Sequence, residues 1–309
     1  NEPYLVMVAV YQVAVVPAYF FLTTASLPTP RAVKSAGVIF VGALVVLVLG
    51  QPHNDLGLFS TLALTPVLAG AGSISGWRRI ALLAVCGVLA ADVLLSEYRT
   101  LWVASGLAML ILLVRGSNRV RRTTGLALAT GGLLVLSGAA LDAGIGDRWT
   151  AVTAGLADSP GYRQAEFLVG LRVWSEQPFI GSGLGQTSPD LYVEGLGLTD
   201  VGPTYHAFWM LALANLGLVG LLAVLAPLLT AVRGGLASSS GPALGFGALL
   251  CGFLVSSTFA GPTDGHWELG LLAALIVLAR SWGDGRIGPG NLLQERNEPC
   301  LLARMPVTA

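Results

Sequence analysis

The sequence predicts an all-α protein, a polytopic transmembrane helix bundle of about nine spans with one long extracytoplasmic loop that carries a surface helix. Three observations predict it. Only 11% of the 309 residues are charged while 54% are hydrophobic, against roughly 25% charged in average soluble chains. Nine apolar runs approach the length of about 20 residues that a bilayer-crossing helix needs. The basic residues are divided unevenly between alternate connectors, 13 on one set and 4 on the other. The richer set belongs on the cytoplasmic side.

The nine runs are residues 4–26, 32–50, 56–73, 80–96, 98–114, 123–144, 206–232, 242–260 and 267–281. The apolar stretch 80–114 is too long for one helix and is cut by the polar "SEYR" at 96–99, so it reads as a hairpin of two spans. Arg31, Lys34, Arg78, Arg79, Arg115, Arg119, Arg121, Arg122, Arg233 and the arginines from Arg280 onward define the cytoplasmic side. Arg99, Arg148, Arg163 and Arg172 fall outside. The N-terminus is then outside and the C-terminus inside, with all three histidines (His53, His206, His266) at or near the outer face.

Four segments follow: N-terminal helices over 1–79, a core over 80–232 that includes the outer loop 145–205, C-terminal helices over 233–281, and a cytoplasmic tail over 282–309. The chain opens on Asn1 and enters an apolar run at once, without a charged n-region or cleavage site, so further helices are expected ahead of it. A formal net charge of zero gives no hint of a nucleic-acid partner. Cys86, Cys251 and Cys300 form no CxxC spacing, so neither a disulfide framework nor a zinc site is indicated. No HExxH, paired-acid or GxSxG motif is present, which argues against metal-dependent and serine-nucleophile chemistry.

Within the outer loop, "YRQAEFLVGLRVWSEQ" at 162–177 fits an amphipathic helix at the membrane surface, with Phe167, Leu168, Leu171 and Trp174 on one face. Arg163 and Arg172 are nine residues apart and point to opposite sides of such a helix. Each also has an acid at ion-pair spacing, Glu166 for Arg163 and Glu176 for Arg172, which offers a surface pair of a few tenths of a kcal/mol as the plain alternative. "PFIGSGLG" follows at 178–185. Its glycines, Gly183 and Gly185 among them, suggest a phosphate cradle on one reading. On the other they make a tight turn where the loop helix meets the bundle. Asp92, about a turn below the outer end of its span, is an intramembrane carboxylate and a functional candidate on that ground. Its simplest role is support, paired with Arg99.

In order along the chain, "SEYRTLW" opens a span, "YRQAEFLVGLRVWSEQPFIGSGLG" lies in the outer loop, and "HAFWMLALANLGLVGLL" opens the next span. This ordered set resembles the O-antigen ligase family, which includes lipid A-core ligases and O-antigen polymerases. The family has an arginine opening a span, a second some fifteen residues before a glycine turn, and a histidine entering the following span. Residue by residue, these fall on Arg99, on Arg163 fifteen residues before Pro178, and on His206. Ala207 stands where the family usually has asparagine, and Asn215 where glutamate is common.

The resemblance implies a glycosyltransferase of the bacterial inner membrane, working on the periplasmic or exterior side. Its partners would be a polyprenyl-diphosphate-linked glycan donor, an acceptor hydroxyl on a glycan, lipid or protein, and the lipid bilayer. Neither cofactor nor metal is implied. Arg99 and Arg163 would hold the diphosphate leaving group, since the planar guanidinium fork matches phosphate oxygens. Arg172, Gly183 and Gly185 are further binding candidates. His206, expected in the first turn of its helix, would accept the proton of the attacking hydroxyl, because the positive helix end disfavours imidazolium. Two other classes compete: a transporter or flippase of lipid-linked sugars, and a non-catalytic subunit of an envelope polysaccharide machine.

Overall fold

The computed structural model describes residues 3–27, 29–50, 56–72, 74–96, 98–140, 160–183, 191–193, 197–199, 207–258 and 267–283. Within them lie ten helices: α1 (Pro3–Ser26), α2 (Pro30–Gly50), α3 (Gly57–Ala71), α4 (Trp77–Leu95), α5 (Arg99–Arg115), α6 (Asn118–Ala140), α7 (Pro160–Glu176), α8 (Phe208–Leu236), α9 (Gly241–Ser256) and α10 (Trp267–Gly283). Each of the nine apolar runs is a helix, and α7 is the expected loop helix. The sequence pattern gave no sign of a short antiparallel ribbon, β1 (Leu191–Val193) with β2 (Gly197–Thr199), in which Leu191 stands opposite Thr199.

α9 is the centre of the bundle. It packs against α3, α5, α8 and α10, and Leu249, Leu250 and Ala248 on it are fully buried. Helices come this close only where side chains are small. A Cβ at Gly252 would run into the Ala104 backbone of α5, and one at Gly247 into the Cα of Gly235 on α8. Around this centre, Leu64, Leu68, Leu89, Leu112, Leu269 and Leu272 complete one continuous apolar core.

The outer surface is also apolar. Val38, Ile39, Phe21, Leu133 and Ile80 are each more than two-thirds exposed. One helix among the described residues, Phe208–Leu236, is both long and apolar enough to cross a membrane; Gly57–Ala71 and Gly241–Ser256 are shorter apolar helices. At 1.5 Å per residue the 16 residues of α9 reach about 24 Å.

The two ends of the bundle differ. At one end the Arg115 guanidinium donates to the Leu236 carbonyl (3.3 Å), which ties together the C-terminal ends of α5 and α8. Arg79 reaches Thr123 there (2.8 Å), which joins α4 to α6. The opposite end, where α5 and α8 begin, carries α7.

Candidate functional site

α8 is not one continuous helix. Gly217 sits at φ 65°, ψ −168° and breaks it, in a region of backbone space open essentially to glycine alone. Such a break leaves carbonyls on one side and N–H groups on the other without intrahelical partners, which is costly in an apolar setting. The glycine turn after α7 supplies partners for two on each side. Ser182 N–H donates to the Ala214 carbonyl (2.9 Å) and Gly183 N–H to that of Asn215 (3.0 Å). In return Leu218 N–H donates to the Pro178 carbonyl (2.9 Å) and Val219 N–H to that of Phe179 (3.1 Å). Ser182 Oγ adds a bond to Ala214 O (3.1 Å), and Trp174 Nε1 fastens the turn from behind through Pro178 O (2.9 Å).

Two glycines make this contact possible. Gly181 lies at φ 70°. A Cβ there would strike the Asn215 and Gly217 backbone, and a Cβ on Gly217 would strike that of Phe179 and Gly181. The "PFIGSGLG" glycines therefore serve the tight-turn alternative in their described part. The Gly183 N–H is engaged with Asn215, and Gly185 lies outside the described residues.

Above the turn, α7 runs back along the first part of α8. Val169 packs with Met210, Leu211 and Ala214, with Val173 alongside. Glu166, Val169 and Gly170 are buried while Phe167 and Leu168 are at least half exposed. Of the residues expected on one face at the membrane surface, Phe167 and Leu168 turn outward, while the face held by protein is the strip Glu166–Val169–Gly170–Val173. At about 100° per residue, position 163 falls within about 20° of Gly170, on the side that α7 turns toward α8, and position 172 falls on the far side. Arg172 and Glu176 are both exposed.

The helix starts converge as well. Phe208 N–H donates to the Ser257 carbonyl (3.1 Å) at the end of α9, and Trp209 Nε1 to Leu254 O (3.0 Å). Gly252 of α9 crosses α5 at Ala104. Five residues along α9 from that crossing is Ser257, and five residues back along α5 is Arg99. Both stand about 7.5 Å toward the α7 end. The backbones at Arg99 and Phe208 thus share one level, and position 163 lies toward the same end because α7 runs antiparallel to α8. The side chains of Arg99 and Arg163 lie outside the described residues, as do His53, His206 and His266.

α8 begins at Phe208 with Ala207 as its N-cap in extended geometry (φ −96°, ψ 115°). His206, expected in the first helical turn, lies outside the described residues. Asp92, buried on α4, accepts a hydrogen bond from Ser60 Oγ of α3 at 2.6 Å; the expected pairing with Arg99 involves a side chain outside the described residues. The α4–α5 turn just above is pinned by Ser96 Oγ and Trp102 Nε1, both donating to the Val93 carbonyl (2.7 and 2.6 Å). α3 starts against this turn, where a Cβ on Gly57 would meet the Ser96 side chain. Ser60, Ser182 and Trp174 carried no signal in the sequence that marked them as part of this frame. Their partners are distant in the chain or are backbone carbonyls freed by a turn or a break.

No curated protein matches the chain. The family model for O-antigen ligase matches residues 80–225, from the first turn of α4 through the glycine turn and past the break in α8. That interval contains Asp92, Arg99, Arg163, Arg172, the docked turn and His206. Over residues 80–225 the chain is similar to the O-antigen ligase family.

Proposed function

We propose that the chain is a membrane glycosyltransferase that moves a glycan from a polyprenyl-diphosphate donor to an acceptor hydroxyl at the α7 end of the bundle. One observation carries the proposal. The starts of α5 and α8 and the strip of α7 that includes position 163 are brought to one end of the molecule, and the docked glycine turn fixes α7 on α8. The apolar side chains exposed around α1, α2 and α6 support a lipid setting, since soluble monomers rarely carry so much outward apolar surface. In that setting the nine apolar helices are spans, with the N-terminus and the α7 end outside and the arginine-rich end in the cytoplasm.

In the proposed reaction the acceptor oxygen attacks the anomeric carbon, the bond from that carbon to the diphosphate oxygen breaks, and the acceptor proton passes to His206. Negative charge develops on the departing diphosphate. Arg99 and Arg163 stabilise it through bidentate N–H···O contacts. A preorganised donor aimed at developing charge accounts for roughly 10²–10³ in rate, and a general base for roughly 10²–10⁴. Arg172, on the far side of α7, takes no part.

The test is transfer by variants of the full-length protein in its own membrane. Arg99→Ala and Arg163→Ala abolish transfer, their lysine variants remain strongly impaired because the fork is lost, and Arg172→Ala is mild. A dead Arg172→Ala beside an active Arg163→Ala would overturn the assignment of the loop. His206→Ala binds donor lipid but does not transfer. His206→Gln, which hydrogen-bonds without taking up a proton, is equally inactive. Near-normal turnover by the Gln variant would reduce His206 to a positioning residue.

A further inference from the structure

Charge is segregated along the bundle. Among the described residues the acidic side chains are Asp92, Glu166, Glu176 and Glu268. Asp92, Glu166 and Glu176 stand at or toward the α7 end. Glu268 opens α10, whose other end brings Arg280 against Gly234 near the end of α8, so it too lies away from the arginine-rich end. That end gathers Arg78, Arg79, Arg115, Arg119, Arg121, Arg122, Arg233 and Arg280, with no described acid among them.

Several of these arginines already have work within the fold. Arg115 caps α8 through the Leu236 carbonyl, and Arg121 caps α5 through that of Val114 (2.6 Å). The rest concentrate where α4 and α6 begin side by side. Arg78 and Arg79 lie in the first turn of α4; Arg119, Arg121 and Arg122 lie in or beside that of α6; neither first turn contains an acid. The Arg79 Nη2–Thr123 bond stitches the two starts together, and Thr123 Oγ1 in turn donates a hydrogen bond to the Arg119 carbonyl (2.7 Å). The side chains of Arg78, Arg119 and Arg122 are exposed and make no hydrogen bond or ion pair among the described residues. The Arg79 Nε is buried and has no hydrogen-bond partner among the described residues.

Guanidinium groups at helix N-termini face the positive end of the dipole, which disfavours them. Two such ends side by side, each lined with arginine and lacking an acid, form a concentration of positive charge that nothing in the described fold offsets. The adjoining surface is that of a membrane boundary: Trp77 and Ile80 are 74% and 70% exposed, and an outward tryptophan beside arginines is the pattern of the lipid headgroup layer.

We propose that the paired starts of α4 and α6 form a binding site for the phosphate headgroup of an anionic phospholipid. Arg78, Arg119 and Arg122 would contact the phosphate oxygens, with Arg79 behind them, while Trp77 and Ile80 lie against the acyl chains. The site rests on the membrane placement proposed above but not on the transferase chemistry.

The experiment is native mass spectrometry of the purified full-length chain in detergent with equal amounts of phosphatidylglycerol and phosphatidylcholine. Each arginine near an anionic surface changes partitioning about fivefold at low salt. The expected result is at least a tenfold preference for phosphatidylglycerol, falling to about twofold or less in Arg78→Gln/Arg119→Gln/Arg122→Gln. Arg122→Gln alone, at an exposed position, gives the intermediate value and serves if the triple variant does not fold. Equal retention of both lipids, or a preference unchanged by the substitutions, overturns the proposal. Displacement of phosphatidylglycerol by millimolar inorganic phosphate, beyond that by chloride of equal ionic strength, overturns the lipid assignment in favour of a free anion. Because no turnover is read, an inactive transferase leaves the result interpretable.

Discussion

Replacing Gly217 by alanine tests the architecture that everything at the α7 end depends on. The residue is held at φ 65°, ψ −168°, where an L side chain costs about 1–3 kcal/mol. Its Cβ would also strike the Phe179 and Gly181 backbone, so the turn must withdraw. Withdrawal breaks bonds among Ser182–Ala214, Gly183–Asn215, Leu218–Pro178 and Val219–Phe179. Each backbone group left buried without a partner costs about 1–3 kcal/mol, so losing two bonds with the strain brings the total to about 4 kcal/mol or more. Gly183→Ala is the control. Its φ of 91° imposes strain, but a Cβ there meets no described heavy atom within 4 Å, so only about 1–2 kcal/mol is expected. A second control, Gly131→Ala, lies inside α6 with open space around it and should be neutral or stabilising. Thermal inactivation half-lives of the purified variants, read with transfer activity, rank them: Gly217→Ala far below Gly183→Ala, which lies below wild type, with Gly131→Ala at or above it. A Gly217→Ala protein as long-lived and active as wild type would refute the docked break as the feature that fixes α7.

Other predictions follow from the same frame. Ser60→Ala removes the 2.6 Å bond to the buried Asp92 carboxylate and should cost about 2 kcal/mol in thermal stability, whereas Asp92→Asn keeps an acceptor for Ser60 and should cost less. Gly252→Val drives a side chain into the α5 backbone at Ala104; overpacking of about 1–3 kcal/mol should appear as lowered thermal stability, and a displaced start of α5 should reduce transfer further than Ser60→Ala does. In a cysteine-free background, an impermeant thiol reagent applied from outside should label Gly195→Cys and miss Asn118→Cys; the reverse pattern would invert the membrane placement and put the proposed transfer site in the cytoplasm.

What was legible in the sequence is what long apolar runs impose on a chain one segment at a time. Backbone groups in a long apolar run must be satisfied within the run, so each of the nine runs is a helix, and "SEYR" ends one helix and begins the next because a polar tetrapeptide interrupts the run. The order of SEYRTLW, the glycine turn and the HAFW segment was enough to point to the O-antigen ligase family over residues 80–225. Which face of each helix meets protein was not legible. Both the outward and the protein-facing sides of the bundle are hydrophobic, so Phe167 and Leu168 gave the same apolar signal as the buried Val169, and only the contact with Met210 and Leu211 separates them. The break at Gly217 was hidden for a related reason. An isolated glycine in "ANLGLVG" reads as a tolerated helix residue, and it becomes a break only because residues 178–183, far back in the chain, arrive to satisfy the freed backbone groups. Asp92 likewise takes a partner 32 residues away, Ser60, because helix packing, and not spacing along the chain, sets which polar side chains meet in the core.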